Sequence, residues 1–375
     1  MKSMLLGGWV GIAVGLWLSV LAPVRAEARS ACETPIRILI QRAANPVDLT
    51  VDGKKYRFKL HRGRELSVNG SKVGAWMSPM GEHRLGEVSL FGRVQVRAHQ
   101  GEVVVIGHVP LDKYVEGTLK GEMPSRWAEE ALRAQAVVSR TYALHERAMH
   151  AEAPYDVATT TQSQVYLGGG VAESIRRAVK DTDCRVLTHG GDPILAVFHS
   201  AAGGKTASSG EVWGRDLTYL VSQQVGGEDD SPDTYWRTQL SPSELRGLLA
   251  SRGHRLGRVR GVRIVARSSS GRVKQIEISG SSGQIEISGG RFRTLLGNRR
   301  LRSTLFEVRE DSRGDFVFVG SGRGHGVGMS QWGARAMAQR GVSYPQILSN
   351  FYPGTRLEKW RASALSSREV GSRSD

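Results

Sequence analysis

The alternation of apolar and polar residues predicts a β-rich region in the first part of the chain. The segment VDLTVDGKKYRFKL alternates on either side of Asp52-Gly53, a dipeptide that favours the two-residue turn of a hairpin. The segment SLFGRVQVRAHQGEVVVIGHV continues this pattern and ends at Pro110, which cannot donate a hydrogen bond to a sheet. Short strands are therefore expected between Ile36 and Val109.

The pattern changes to a helical period after Pro124. Ser125 is expected to cap a helix there, and Glu129 and Glu130 suit the positively polarised first turn of that helix. Residues at helical spacing form one stripe, which contains alanines rather than leucines: Ala131, Ala134, Gln135, Val138 and Tyr142. Another element is therefore expected to pack closely against this helix.

Later segments mix both periods. Ala172–Val179 and the segment SPSELRGLLASRG predict helices, and Arg185–His199 predicts a strand, a turn and a strand. The hexapeptide QIEISG occurs at Gln275 and again at Gln284, and two copies around a serine-glycine turn predict a β-hairpin rather than a repeat array. The predicted fold class is α+β.

The first residues have the pattern of an export signal. Lys2 supplies a positive start, Ser3–Val24 carries no charge, and Val24-Arg25-Ala26 or Ala26-Glu27-Ala28 provides small residues for cleavage. The apolar run Leu5–Ala22 reaches the lower limit for a spanning helix, so an uncleaved membrane anchor is the alternative. The protein is expected in the periplasm, the cell wall or the extracellular space.

The chain is strongly basic, with a formal net charge of +16. Removal of residues 1–26 takes away Lys2 and Arg25 and no acid, which leaves +14. Such a surface favours polyanions, and an exported protein meets anionic envelope polymers and lipid head groups rather than nucleic acid. Cys32 and Cys184 are able to pair in that compartment, although the sequence does not show that they meet.

Glu122 has an unusual position for a carboxyl group. It lies between Gly121 and Met123, just before Pro124, with Trp127 nearby. The ordinary interpretation is a solvated turn residue. Apolar neighbours would instead raise the pKa of this carboxyl group, as a general acid requires.

Four segments resemble, in order, the signatures of the stage II sporulation protein D (SpoIID/LytB) family. They read GEMPSRWAEEALRAQAVVSRTYAL from Gly121, VFHSAAGGKTASSGEVWG from Val197, RTLLGNRRLRSTLFEV from Arg293 and GRGHGVGMSQWG from Gly322, the last continuing to SYPQILSNFYPGTRL. The resemblance covers roughly Glu102 to Trp360. It implies an irregular mixed fold with a β-rich N-terminal part, a central catalytic helix, further strands and a C-terminal helix.

The resemblance and the composition together divide the chain. The expected parts are a signal peptide or anchor at 1–26, a β-rich region at 27–101, a SpoIID/LytB-like catalytic domain at 102–360 and a disordered tail at 361–375. A variable segment is expected inside the catalytic domain, at about 215–292.

The resemblance implies a peptidoglycan lytic transglycosylase, which cleaves the β-1,4 bond between N-acetylmuramic acid and N-acetylglucosamine. Glycosidases commonly use two carboxyl groups. A lytic transglycosylase uses the 6-hydroxyl of the sugar as the nucleophile, so that Glu122 alone would serve as general acid and then as general base. The product would be a 1,6-anhydromuramoyl end.

The same motifs mark expected substrate contacts: Gln135, Arg140, His199, Ser200, His325, Ser330 and Gln331. A surface ion pair is the alternative for Arg140, and a helix cap is the alternative for Ser330. The glycines around His325 would let the backbone approach either a sugar or another strand. Arg323 stands where many relatives have a tryptophan, which puts a sugar-stacking role at that position in doubt.

Some family members carry a Cys/His cluster, interpreted as a zinc site, in the segment that here reads PYDVATTTQSQVY. Ala158, Gln162 and Ser163 occupy the positions expected for the ligands, and none of them offers a thiolate or an imidazole. No metal and no other cofactor are predicted.

The expected partner is the peptidoglycan glycan strand, and family behaviour favours strands that have lost their stem peptides. The family name also covers modifiers of amidases, so a protein that binds the wall and stimulates a cell-wall amidase is the second hypothesis. A basic adhesin is the third, and it does not predict four spaced motifs around one acid.

Overall fold

The structure, a computed structural model, describes residues 35–43, 46–85, 88–159 and 164–360. The predicted targeting segment and tail lie outside these ranges, as do Cys32, Gln162 and Ser163, so the predictions that depend on them are unchanged. No helix in the described ranges is both long and apolar enough to cross a bilayer. Within the same ranges, His, Cys, Asp and Glu side chains form no group of three or more with the arrangement of a metal site.

The β-rich start is confirmed. The strands before the first helix are β1 (Pro35–Ala43), β2 (Val47–Val51), β3 (Lys54–His61), β4 (Glu65–Val68), β5 (Ser71–Val73), β6 (Ala75–Met77), β7 (Gly81–Leu85), β8 (Val88–His99) and β9 (Glu102–Pro110). One sheet has the order β2-β3-β4-β5, and another contains β1-β9-β8-β6 with β7 paired to β8. The predicted hairpin turn is present, since Asp52 and Gly53 have φ angles of 52° and 76°.

Two helices follow, α1 (Leu111–Glu122) and α2 (Glu129–Met149). The sequence analysis predicted only the second, and its proposed cap is wrong. Ala128, not Ser125, precedes α2, because the residues from Pro124 to Trp127 form a turn closed by a 3.0 Å backbone hydrogen bond. Helix α2 is buried well beyond one stripe, and α1 and α3 (Glu173–Asp181) are among the elements packed against it.

Short strands and one helix follow α2, up to residue 199. The strands are β10 (Val157–Ala158), which pairs in parallel with β1, β11 (Arg185–His189), β12 (Asp192–Pro193) and β13 (Phe198–His199). The predicted helix at Ala172–Val179 and the strand and turn after Arg185 are therefore confirmed, with the helix displaced toward its C-terminus.

The next region has its own elements: α4 (Ser209–Trp213), β14 (Trp236–Leu240), α5 (Pro242–Ala250), β15 (Val259–Arg267), β16 (Val273–Gly280), β17 (Gly283–Ser288), α6 (Gly289–Leu296), β18 (Phe306–Glu310) and β19 (Phe316–Gly320). They build the sheets β15-β16-β17 and β14-β19-β18. The repeated hexapeptide forms the predicted hairpin of β16 and β17. A capping box of Ser241 and Glu244 begins the predicted helix α5.

The chain closes with β20 (Met329–Ser330), α7 (Gln331–Gln339), α8 (Tyr344–Phe351) and β21 (Arg356–Lys359), so two helices stand where one was expected. The described residues form two hydrophobic cores. The larger joins the N-terminal sheets to α1, α2, α7 and α8, and the smaller extends from Trp236 to Phe318. The predicted α+β class is confirmed.

Candidate active site

The close packing of α1 against residues 164–168 fixes the C-terminal end of this helix. A Cβ atom on Gly117 would lie 2.4 Å from the Tyr166 ring, and one on Gly121 would lie 2.6 Å from the carbonyl oxygen of Val165. Real Cβ atoms do not approach other atoms so closely. The two glycines, one helical turn apart, therefore let the crossing segment lie directly on the last two turns of α1.

Glu122 is the last residue of α1, and its carboxyl group is half-buried beside this crossing segment. The backbone N–H of Val165 donates a hydrogen bond to Oε1 at 2.7 Å. Burial raises the pKa of the Glu122 carboxyl group, while the Val165 N–H and the Gln331 side chain oppose part of this rise. The raised pKa favours a protonated carboxyl group, which is able to act as a general acid.

The glycine-rich segment packs against the backbone of another strand. Strand β13 pairs in parallel with β20, which joins His199 to Ser330. A Cβ atom on Gly328 would lie 2.0 Å from the carbonyl oxygen of Val197, and one on Gly324 would lie 2.7 Å from Cβ of His199. The structure thus answers the question that the sequence left open, since these glycines admit a neighbouring strand.

The two histidines have different hydrogen bonds. Nδ1 of His199 donates to the carbonyl oxygen of Val327 at 3.0 Å, and Nε2 of His199 has no partner among the described residues. Nδ1 of His325 accepts from the Val327 N–H at 3.1 Å, and the ring also bonds to the Phe198 carbonyl group. His325 therefore links two segments, whereas His199 keeps a free acceptor.

Both histidines are neutral at neutral pH. Burial lowers the pKa of His199 well below its ordinary value, and the neighbouring His325 lowers it further. Burial and then the charge of Arg293 lower the pKa of His325 to about 4. Neither ring is therefore suited to donate a proton from an imidazolium form near pH 7.

A cavity of about 720 Å³ joins these parts. The predicted site residues among its lining are Glu122, His199, Ser200, His325 and Gln331. The further lining residues are Tyr142, Val165, Val197, Phe198, Trp213, Arg293, Asn298, Arg299, Arg323 and Gly324. Among these described lining residues, Glu122 is the only one that carries a carboxyl group.

Two of the predicted substrate contacts lie in the core instead. Arg140 has no exposed surface, and its guanidinium group pairs with Asp112 at 3.1 Å and donates to backbone carbonyl groups of the Val179 and Arg185 segments. Gln135 is also fully buried and donates to Ser139 within α2. Both assignments are corrected, because a side chain without exposed surface cannot contact a polymer.

Ser330 is likewise a structural residue. It is fully buried, and it caps α7 by accepting a hydrogen bond from the Gly333 N–H at 3.2 Å, as the alternative interpretation expected. Its hydroxyl group donates to Glu228, a buried carboxylate that also accepts from the Ala202 and Gly203 N–H groups at 2.8 Å. Glu228 thereby holds the turn after β13 against the start of α7, where Gln331 donates to the Glu122 carbonyl oxygen at 3.2 Å.

Several lining residues were not assigned a role from the sequence. Trp213 lies in the family-like segment that begins at Val197, and Arg293 begins the next such segment. Membership of these segments was the sequence signal that could have identified both residues. Trp213 is 45% exposed, and its ring centroid lies 5.4 Å from that of His325. It therefore offers an aromatic surface near Arg323, which stands where many relatives have a tryptophan. Val165 acts through its backbone N–H, which no side-chain pattern reveals.

Comparison with known proteins gives two family matches. The family described as Stage II sporulation protein matches residues 99–189. A domain of unknown function, DUF8618, matches residues 214–328. The first match contains Glu122 and its hydrogen-bond donor Val165, and the second contains Arg293, Arg323 and His325.

Curated relatives extend the similarity. Stage II sporulation protein D of Bacillus amyloliquefaciens is 31% identical over 271 residues, which are 68% of this chain and 76% of the relative. An uncharacterized protein of Brachyspira hyodysenteriae is 32% identical over 274 residues, 72% of each chain. The amidase enhancer of Bacillus subtilis is 30% identical over 293 residues, 66% of this chain but only 40% of the relative.

Proposed function

Since the chain belongs to the stage II sporulation protein D family, we propose that it is a peptidoglycan lytic transglycosylase that acts outside the cytoplasmic membrane. The observation that carries the proposal is a cavity whose described lining contains one carboxyl group, Glu122, with a raised pKa and no ion pair. A single acid suits a reaction in which the sugar supplies its own nucleophile.

In the first step, the Glu122 carboxyl group donates its proton to the glycosidic oxygen as the bond from that oxygen to C1 of N-acetylmuramic acid breaks. In the second step, the Glu122 carboxylate accepts the proton of the 6-hydroxyl group while the hydroxyl oxygen bonds to C1. The carboxyl group regains its starting state, and no water is consumed. General acid–base assistance of this kind typically contributes about 10²–10⁴-fold to the rate.

Other lining groups support this assignment. Nε2 of His199 is an acceptor without a partner among the described residues, and Ser200 follows it at the end of β13. The exposed surface of Trp213 provides an aromatic surface against which a sugar ring packs. We assign His199, Ser200, Trp213 and Gln331 to substrate positioning, and His325 to holding the two segments together.

A second function is proposed because one relative is named an amidase enhancer. In that case the cavity binds glycan strands, and the protein stimulates a cell-wall amidase without cutting the strand. Glu122 would then have no chemical role, so a Glu122→Gln variant would stimulate the amidase as well as the wild type does.

The test is digestion of purified peptidoglycan, with and without amidase pretreatment, followed by mass spectrometry. Lytic transglycosylation is expected to give 1,6-anhydromuramoyl ends and no new reducing ends. Reducing ends would instead indicate a hydrolase and would refute the single-acid scheme. Amidase rates measured in parallel with wild type and Glu122→Gln decide whether the second function is present.

A further inference from the structure

A second cavity, of about 500 Å³, lies in the region from α4 to α6 and shares no lining residue with the cavity of Glu122. Its ionisable lining groups are two arginines and a histidine, Arg252, Arg291 and His254. The remaining lining residues are uncharged: Val212, Ile287, Ser288, Gly290, Thr294 and Leu295. The lining thus has cations and no acidic side chain among the residues that the structure describes, and we call it the basic cavity.

Helix α6 separates the basic cavity from the cavity of Glu122. Arg291 and Leu295, which are one helical turn apart, line the basic cavity, whereas Arg293 lies between them in the sequence and lines the cavity of Glu122. The two cavities are therefore on different sides of one helix. A ligand of the basic cavity occupies a site of its own, next to the site of the proposed reaction.

The charged groups of the basic cavity are not neutralised within the described part of the chain. Arg252 and Arg291 are exposed, and neither guanidinium group forms an ion pair or a hydrogen bond with a described residue. The half-buried ring of His254 has no described partner either. Guanidinium groups offer parallel N–H donors to carboxylate and phosphate groups, so the basic cavity is an open site for an anion.

Positive charge continues from the basic cavity along the segment 252–260. This segment carries four arginines, all exposed and none in an ion pair with a described acid: Arg252, Arg255, Arg258 and Arg260. Between Pro242 and Arg300 the chain has 13 lysine and arginine residues and 3 acids, which is an excess of 10 in a protein whose net charge is +16. A row of unpaired cations favours an extended ligand with repeated negative charges over a single small anion.

The apolar residues of this segment distinguish a polymer from a bilayer. Leu256 and Val259 are buried, with exposed fractions of 5% and 3%. A segment that binds to a bilayer interface places large apolar side chains among the acyl chains, and the segment 252–260 exposes no such side chain. A flat lipid surface would also contact only the rim of a concave site, whereas a flexible chain can enter it. The segment and the cavity therefore fit a polymer better than a bilayer.

The lining of the basic cavity favours phosphate groups on a backbone without bases. Arginine side chains and hydroxyl groups such as that of Ser288 are typical contacts of phosphate oxygens. Single-stranded nucleic acids bind through bases stacked on aromatic rings, and no Phe, Tyr or Trp side chain is among the described lining residues. We infer that the basic cavity and the arginines of the segment 252–260 bind a linear phosphodiester polymer, of the polyol phosphate type found in bacterial envelopes. This inference is independent of the reaction proposed for Glu122.

The test measures binding of the full chain to fluorescently labelled poly(glycerol phosphate) by anisotropy. Binding is expected at low ionic strength and should weaken as salt rises, because each phosphate contact releases counterions. If about four arginines contact phosphates, the logarithm of the association constant should fall against the logarithm of the salt concentration with a slope of about −2 to −3. Absence of binding at low salt, or a slope near zero, would overturn the inference.

A matched pair of variants separates the site from the net charge. Arg291→Gln removes a charge from the basic cavity, and Arg313→Gln removes the same charge from the exposed turn between β18 and β19. Arg291→Gln should weaken binding about 10-fold or more, as the loss of a charge-assisted hydrogen bond implies, and Arg252→Gln should add to this loss. Arg313→Gln should change the affinity less than about twofold. Equal losses in Arg291→Gln and Arg313→Gln would overturn the assignment to the basic cavity, and melting temperatures report whether the variants keep the fold.

Two further ligands identify the kind of polyanion. Vesicles that contain phosphatidylglycerol and a single-stranded oligonucleotide are compared with the polymer at equal phosphate concentration. Tighter binding to either would replace the polyol phosphate by a bilayer or by nucleic acid and would overturn the inference. Glu122→Gln should bind the polymer as the wild type does, so the result at the basic cavity is obtained separately from the result for the proposed function.

Discussion

The charged residues that line the cavity of Glu122 come from two regions, one of which supplies the acid and the other the cations. The acid-bearing region, residues 99–189, supplies Glu122 together with uncharged neighbours such as Tyr142 and the backbone of Val165. The arginine-bearing region, residues 214–328, supplies Asn298 and three arginines, Arg293, Arg299 and Arg323. The first belongs to the larger hydrophobic core, and the second is built mainly on the smaller one.

The difference shows why an acid with a raised pKa and a group of cations benefit from separate supports. A cation next to Glu122 would stabilise the carboxylate and lower its pKa, which would remove the proton that the proposed reaction needs. A cationic surface, unlike an acid whose pKa is raised by burial, keeps its charge when it is exposed to solvent. Because another region carries the cations, no ion pair among the described residues lowers the pKa of Glu122, although cationic groups line the same cavity.

The largest expected effect comes from removing the acid itself. Glu122→Gln should keep the fold and the binding of glycan but lose about 10²–10⁴-fold or more in kcat, because the amide cannot donate or accept the required proton. The control is Glu129→Gln at the exposed start of α2, where Glu129 pairs with Arg133 and Arg177. The control should retain full activity in the anhydro-end assay. A Glu122→Gln variant with wild-type rates would contradict the assigned role.

A smaller effect is expected from the glycines that position the acid. Gly121→Ala would place a Cβ atom 2.6 Å from the Val165 carbonyl oxygen, so the crossing segment must move away from α1. Such overpacking typically lowers the free energy of unfolding by about 1–3 kcal/mol, and the Val165 hydrogen bond to Glu122 should weaken with it.

The matched control lies in the arginine-bearing region. Gly247 is an exposed glycine within α5, and a Cβ atom there would meet no atom within 4 Å. Gly247→Ala should raise the free energy of unfolding by up to about 1 kcal/mol, because alanine loses less conformational freedom in a helix. Urea titration measures both variants, and equal stability of Gly121→Ala and wild type would refute the tight crossing.

The smallest effect tests the electrostatic contrast directly. Gln331→Lys places a cation beside Glu122, which should lower the pKa of the carboxyl group by about one unit or more. Since the proposed mechanism requires the protonated form of Glu122, activity should be lost as pH rises through this pKa. The alkaline limb of kcat/KM against pH should therefore move to lower pH, with about a tenfold lower rate near neutrality.

The uncharged variant Gln331→Met is not expected to lower the pKa of Glu122. It removes a side chain that now lowers the pKa of Glu122, so the alkaline limb should stay in place or move to higher pH. If the alkaline limb moves in the same direction in the lysine and the methionine variants, Gln331 affects the rate by packing rather than by charge.

The sequence predicted the strands and hairpins well because their signals are local. Alternation and turn residues identified the hairpin at Asp52-Gly53 and that of the repeated hexapeptide. Helix α1 was missed although Leu111, Tyr114, Val115 and Leu119 have helical spacing, since it follows a strand directly and has no side-chain cap. The sequence analysis consequently placed Glu122 in the segment before α2, whereas Glu122 is the last residue of a helix of its own.

The candidate site was predicted in part. The order of the family-like segments predicted that Glu122, His199 and His325 share a site, and all three line one cavity in the structure. Arg140 was misassigned because periodicity does not show how many sides of α2 are covered, and this helix is buried far beyond one stripe. The cavity also depends on the long-range pairing between β13 and β20, which joins His199 to Ser330 and which no local pattern encodes.

That long-range pairing has a consequence for the order of folding. The hydrogen bond from His199 to Val327 joins residues 128 positions apart, and closing so long a flexible loop costs chain entropy. The intervening residues contain a hydrophobic core of their own, so we expect them to fold first and to present a much shorter effective loop. The cavity would then be assembled in the final step, when one prefolded body docks on the other. On heating, the same junction should open before either body melts, so that catalytic competence is lost while most secondary structure persists.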